Sequence, residues 1–169
     1  MKALGEFRAA TAGEIAAAHA LYMEVVTWLR AKGVRQWLRP LEADEFCERQ
    51  EHGELFGYFE QAAMTATVAL AYECDHDWET HLGPEARWWL KTLAVAPTHR
   101  GRDIGARVVA AAEAHLRSKG ANEVWLECVD AGFLPDYYGR LGYEVMKRAR
   151  ITYPSGNTFD VAAMRKQFR

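Results

Sequence analysis

The sequence predicts an α+β domain with a mixed, mostly antiparallel central sheet of about seven strands flanked by about four helices. Three observations lead there. Aromatic and β-branched runs alternate with segments of helical period in the order β-α-α-β-β-β-α-β-α-β-β. One strand-helix-strand passage, from Arg87–Val95 through a helix opening at Ile104 to Val124–Val129, has to be a parallel, right-handed crossover. The chain has 169 residues, half of them apolar, enough to bury roughly 70% of the unfolded surface round a single core. No long linker, repeat or low-complexity stretch interrupts it, so residues 1–169 read as one domain.

Taken in order, Phe7 to Ala10 reads as a short first strand. Thr11-Ala12-Gly13-Glu14 then has the form in which hydroxyl and carboxylate satisfy the orphan amides of a helix start. Ile15, Ala18, Leu21, Tyr22, Val25, Val26 and Leu29 recur at three-and-four spacing, and Gly33 supplies the left-handed stop. A second helix is expected over about Glu42 to Glu51. Leu55 to Glu60, Met64 to Tyr72 and Arg87 to Val95 follow as an antiparallel meander, with a loop from Cys74 to Ala86. From Ile104 the positions Val108, Val109, Ala112 and Leu116 keep a helical period. Arg117 and Lys119 lie where the dipole favours cations, and Gly120 ends the helix. Val124 to Val129 is a buried strand. Pro135 fits the first turn of a short helix through about Leu141, and Tyr143 to Arg150 and Thr158 to Met164 close the chain as strands.

Lys and Arg number 21 against 23 Asp and Glu, a net charge of -2, so no overall cationic field would hold nucleic acid or an acidic bilayer. Cys47, Cys74 and Cys128 are odd in number and far apart, which fits a reducing cytoplasm better than a secreted disulfide framework. Glu6 and Arg8 interrupt the segment where a signal peptide needs apolar residues, and no apolar run nears the ~18 residues of a membrane span.

The most informative segment is Leu93-Ala94-Val95-Ala96-Pro97-Thr98-His99-Arg100-Gly101-Arg102-Asp103-Ile104-Gly105-Ala106. A strand feeds a loop with two arginines and small residues, and the loop opens a helix whose first amides lack partners. Such a loop suits a pyrophosphate, although a turn with solvated arginines has the same composition. Neither the Walker spacing nor the full dinucleotide glycine fingerprint is present.

This segment resembles motif A of the GNAT superfamily of acyl-CoA-dependent N-acyltransferases, Gln/Arg-x-x-Gly-x-Gly/Ala, at Arg100-Gly101-Arg102-Asp103-Ile104-Gly105. Asp136-Tyr137-Tyr138-Gly139-Arg140-Leu141-Gly142-Tyr143 is similar to a second family motif, Phe/Tyr-Tyr-x-x-Leu-Gly-Phe. Gly33-Val34-Arg35-Gln36-Trp37 looks like the segment between the first two helices in one group of small-molecule members. The element order fits that fold over nearly the whole chain.

The resemblance implies a splayed parallel strand pair forming a slot for acyl-CoA. Backbone groups of Leu93 and Val95 would pair with the pantetheine arm, and amides of Arg100, Gly101, Arg102, Asp103, Ile104, Gly105 and Ala106 would cradle the pyrophosphate. Tyr138 holds the position that serves the departing thiolate. A tyrosine near pKa 10 giving its proton to a thiolate near 8.5 is uphill by about 2 kcal/mol, so hydrogen-bond donor is the role expected of it. Three departures from the family stand out. Asp103 replaces a glycine and is expected to turn to solvent and pair with Arg102 or Arg107. Ala131 stands where the family often has Asn, seven residues before the tyrosine. The strand where a Glu or His base is often found shows Trp89 and Lys91 instead. Glu127 and Asp130 are the next candidates for the base, with Glu73 after them, and a desolvated Lys91 could also serve.

The implied reaction moves an acetyl group from acetyl-CoA to a primary amine of a small molecule, by direct attack in a ternary complex. Trp28, Arg35, Gln36, Trp37 and Lys91, with the loop Tyr153–Asn157, would hold the acceptor: tryptophan faces could box a cation, while Arg35 and Lys91 could hold a carboxylate. Alternatives within the same fold are a non-catalytic acyl-CoA-binding module and a protein N-terminal or lysine acetyltransferase. Cys74, Asp75, His76, Asp77 and His81 have no metal-site spacing, so no metal is expected, and no serine elbow or nucleic-acid surface is evident. An edge strand such as Thr158 to Met164 could pair across a homodimer.

Overall fold

Residues 5–169 are described by the computed structural model; Met1–Leu4, part of the opening segment read above, lie outside the described residues. Seven strands are hydrogen-bonded in the order β1-β2-β3-β4-β5-β7-β6, and the chain groups into two compact units, Met1–Leu70 with Thr92–Glu113 and Ala71–Lys91 with Ala114–Arg169.

In the first unit, β1 (Glu6–Ala9) pairs antiparallel with β2 (Leu55–Glu60), which pairs antiparallel with the start of β3 (Ala63–Glu73). The capping box forms as expected, with the Thr11 amide donating to Glu14 Oε2 at 2.8 Å, but its first turn is 3₁₀ and α1 proper runs Ile15–Ala31. α2 (Ala43–Glu51) starts from a second box, built on Glu42 and Glu45. Leu21, Tyr22, Val25, Val26 and Leu29 of α1 meet Phe46, Leu55, Ala94 and Ala96 in one buried cluster. The periodicity of α1 is therefore the periodicity of its buried stripe.

The part of β4 (Arg87–Val95) that belongs to the second unit, up to Lys91, pairs parallel with β5 (Glu123–Val129) at Trp89↔Trp125 and Leu90↔Leu126. β5 pairs antiparallel with β7 (Thr158–Gln167) from Glu123↔Gln167 to Val129↔Val161, and β7 with β6 (Glu144–Thr152). The core is aromatic, with Trp78, Trp89 and Trp125 packed on Ile151, Val161 and Ala163. α4 (Ile104–Ser118), most of which belongs to the first unit, is the expected crossover helix, and α5 (Leu134–Arg140), in the second, is the expected short one with Pro in its first turn.

Two features depart from expectation. The segment read as a plain loop contains a one-turn helix, α3 (Glu79–Leu82), which brings the described α-helices to five; four residues are too few to show a period. Within β4, Thr92 has φ 48°, a left-handed conformation that is a genuine outlier for a β-branched residue. Its hydroxyl accepts a hydrogen bond from Arg49. The kink lies two residues past the last parallel pair, Leu90↔Leu126, as a β-bulge ending a ladder would.

Candidate active site

The expected phosphate loop lies in the first unit. After β4 a 3₁₀ turn over Pro97–His99 delivers Arg100 in extended backbone, and Gly101 and Asp103 then take left-handed φ of 76° and 56° before α4 begins. Asp tolerates this conformation better than most side chains, which explains how a carboxylate occupies the motif's glycine position without breaking the turn. A Cβ at Gly101 would meet nothing within 4 Å, so the loop is open round that residue. Ile104 is buried and anchors the helix, leaving only its backbone for a ligand, and Gly105 and Ala106 follow half-buried in the first turn. Open backbone, orphan amides and arginines fit the phosphates of an acyl-CoA.

The arginines are held differently. Arg102 Nη2 lies 3.0 Å and Arg107 Nη1 4.0 Å from the carboxylate of Glu60. Asp103, expected to claim one of them, is exposed and forms no ion pair among the described residues. Arg100 lies flat on Trp28, its guanidinium carbon 3.5 Å from the ring centroid, and burial lowers its pKa. The face of Trp28 that could have boxed a substrate cation thus carries a cation of the protein's own. Trp37, at φ 54°, packs at 4.9 Å on the buried Tyr22; Gln36 is half-buried and Arg35 exposed on the same connection. Leu93 and Val95 are both half-buried on the last turn of strand before the loop.

The candidate bases lie in the second unit. Glu127 leaves β5 on the face of Trp125, and its two oxygens accept hydrogen bonds of 2.5 Å each, from Trp78 Nε1 and from Tyr153 Oη. Both donors are neutral, so the carboxylate has no cation partner. Solvent still reaches it, yet the crowded protein displaces enough water to raise its pKa; the bonds from Tyr153 and Trp78 oppose that rise, and Asp75 and Asp77 add to it. Lys91, two residues beyond Trp89, spends its charge on Glu73 and on Asp75, the latter at 2.7 Å. Burial pulls its pKa down, but the two acids outweigh that and raise it, so Lys91 stays protonated at neutral pH. The desolvated Lys91 base considered from the sequence is not what the packing produces. Asp130 is held by Arg148 at 2.9 Å. Among the described residues no group of three or more His, Cys, Asp or Glu side chains could hold a metal ion.

Tyr138, on α5, is half-buried, and its hydroxyl makes no hydrogen bond to the described residues. Burial raises its pKa, with smaller contributions from Tyr137 and Cys128, so it is a protonated donor throughout the working pH range. Successive β5 residues point to opposite faces, so Cys128 leaves the strand away from Glu127. Trp78 and Tyr153 are hydrogen-bond partners of Glu127 that the sequence did not single out, since each is brought to it only by the fold.

Comparison with known proteins agrees with the fold. The family model for the acetyltransferase (GNAT) family matches residues 22–143. The Bacillus subtilis (strain 168) protein named uncharacterized N-acetyltransferase YesJ is 30% identical over 134 residues, 75% of this chain and 74% of that protein. A GNAT-family acetyltransferase from Listeria monocytogenes 4b F2365 shares the fold at TM-score 0.78 and 18% identity, covering 97% of this chain and 95% of that one. The PaiA N-acetyltransferase of Thermoplasma acidophilum, solved with coenzyme A, does so at TM-score 0.65 and 17% identity over 97% and 99%. No described helix is long and apolar enough to cross a membrane. Motif, sheet and matches together make this chain a member of the GNAT acetyltransferase family, acyltransferases that take their acyl group from acetyl-CoA.

Proposed function

We propose that residues 1–169 act as one acetyltransferase domain on a primary amine of a small molecule, with Glu127 as general base and Tyr138 as hydrogen-bond donor to the departing sulfur. Bound acetyl-CoA supplies an activated thioester. In this reading the backbone of Leu93 and Val95 holds the pantetheine arm, and Arg100 with the amides from Gly101 to Ala106 holds the phosphates.

The observation that carries the base assignment is the state of Glu127: reachable by solvent, without a cation, and raised in pKa by its surroundings. An amine near pKa 10 is about a thousandfold short of its neutral form at pH 7, so a carboxylate with a raised pKa is well matched to take its proton. Asp130 is already paired with Arg148 and is the weaker candidate. The same surroundings bear on the acceptor. Lys91 is neutralised by Glu73 and Asp75, which removes it as a carboxylate clamp, and Glu127 with Asp75 and Asp77 favours an arriving ammonium over an anion. The three free cysteines suit a reducing cytoplasm.

The test is thiol release from acetyl-CoA over a panel of small amines, amino acids and peptides. Glu127→Gln is expected to lower kcat about 100-fold at neutral pH and Tyr138→Phe about 10-fold or more, each with little change in the KM for acetyl-CoA. Unchanged turnover in Glu127→Gln would remove it as the base. Turnover confined to peptides would replace the small-molecule acceptor by a protein one, and binding of acetyl-CoA without turnover on any amine would leave a binding module.

A further inference from the structure

We infer that Trp28 is a positioning residue for cofactor recognition: its indole face holds the Arg100 guanidinium in a fixed plane so that the edge N–H groups are free to grip a phosphate of the acyl-CoA. The inference rests on the proposed role of the Arg100 loop and adds to it a residue from α1 that no motif contains.

The stacked distance of 3.5 Å is face contact between guanidinium and ring. A planar guanidinium stacked this way spends only its π face, while its five N–H donors lie in the plane and point outward. None of those five is taken up by an acceptor among the described residues, and the side chain is exposed. The neighbouring Arg102 is tied to Glu60 at 3.0 Å, so it would have to exchange a carboxylate for a phosphate on binding. Arg100 has no such partner to give up. Trp28 can serve as a platform because it is half-buried against the cluster that contains Val25 and Leu29. A free arginine side chain would give up its rotamer entropy when it gripped a phosphate, and the stack meets most of that cost in advance. Lys32, one turn on from Trp28, lies 5.9 Å from the same ring and adds positive charge nearby.

The experiment is calorimetric titration of the purified protein with CoA, 3′-dephospho-CoA and pantetheine, for wild type, Trp28→Leu, Trp28→Phe, Arg100→Lys, Arg100→Ala and the double variant Trp28→Leu/Arg100→Ala. Trp28→Leu is expected to weaken CoA binding about 5- to 20-fold, Trp28→Phe to recover most of that loss, and Arg100→Lys to behave like Trp28→Leu because an ammonium keeps the charge without the fork. The double variant is expected to bind no more weakly than Arg100→Ala alone, since Trp28 acts only through Arg100. A Trp28→Leu penalty that persists with 3′-dephospho-CoA assigns the grip to the pyrophosphate, and one that disappears assigns it to the 3′-phosphate. The inference is overturned if wild type binds CoA and Trp28→Leu matches it within twofold. It is equally overturned if Trp28→Leu weakens pantetheine as much as CoA, which is the signature of general damage to α1. Absence of CoA binding in folded wild type would overturn the proposed function together with it.

Discussion

Replacing Tyr153 by Phe removes one of the two hydrogen bonds on Glu127 and leaves the ring, so it changes the electrostatics of the proposed base with little change in packing. Both bonds run from neutral donors to carboxylate oxygens at 2.5 Å and favour the ionised form. Their loss therefore raises a pKa that burial, Asp75 and Asp77 have already raised. A hydrogen bond to a charged group contributes about 1.5–3 kcal/mol, and water entering at this solvent-reachable site recovers part of it, leaving about 1.4 kcal/mol. That corresponds to about one pK unit. A base works deprotonated, so the acid limb of the kcat/KM profile should move to higher pH by about one unit. Activity would fall about tenfold below the limb and stay near wild type on the plateau. The assay is the pH profile with the best amine of the panel, alongside Trp78→Phe, which should move the limb the same way through the other oxygen. The reasoning is refuted if neither variant shifts the limb while Glu127→Gln abolishes activity, or if the limb moves to lower pH.

Three further outcomes are expected. Asp103→Asn, which keeps a side chain tolerant of the left-handed φ of 56°, should tighten CoA about fivefold in a calorimetric titration, because a carboxylate near a phosphate costs about 1 kcal/mol in wet surroundings. Lys91→Met leaves Glu73 and Asp75 without their cation and should lower stability at pH 7 by about 2 kcal/mol in urea denaturation. Glu14, held at a pKa of about 2 chiefly by its hydrogen bonds to Arg8, is depressed below its unfolded value. Its contribution is present above the unfolded pKa and lost as the pH falls towards about 2. Because the pair is only half-buried and water screens it, Glu14→Gln should flatten that acid loss by less than about 1 kcal/mol in thermal melts taken from pH 5 to 2.

Much of the fold could be read before folding. Leu55–Glu60 and Arg87–Val95 span the same residues as strands in the structure as in the pattern of β-branched and aromatic side chains, and Ile104 opens its helix where the periodicity changes. The loop proposed to hold the phosphates could be picked out because its composition is local, with small residues, arginines and a helix start within seven positions. The fate of each charge was not. Arg102 and Arg107 took Glu60 rather than the adjacent Asp103, because a partner set by a neighbouring strand can lie closer than one set by the chain. Trp28 offered an aromatic face, and nothing in α1 showed that Arg100 would occupy it. The left-handed Thr92 was hidden too, since a β-branched residue is a poor signal for such a backbone.

What the sequence by itself determined is what depends on neighbours along the chain: the period of each element, the caps, the turns and the two motifs that mark the family. The tertiary structure decided which groups kept their charge and which lost their freedom. Glu127 acquired Trp78 from 49 positions and Tyr153 from 26 positions away, and Lys91 acquired Glu73 and Asp75 across the sheet. A hydrogen bond or ion pair acts over a few ångströms, and only the register of strands and the packing of helices bring such distant residues within that range.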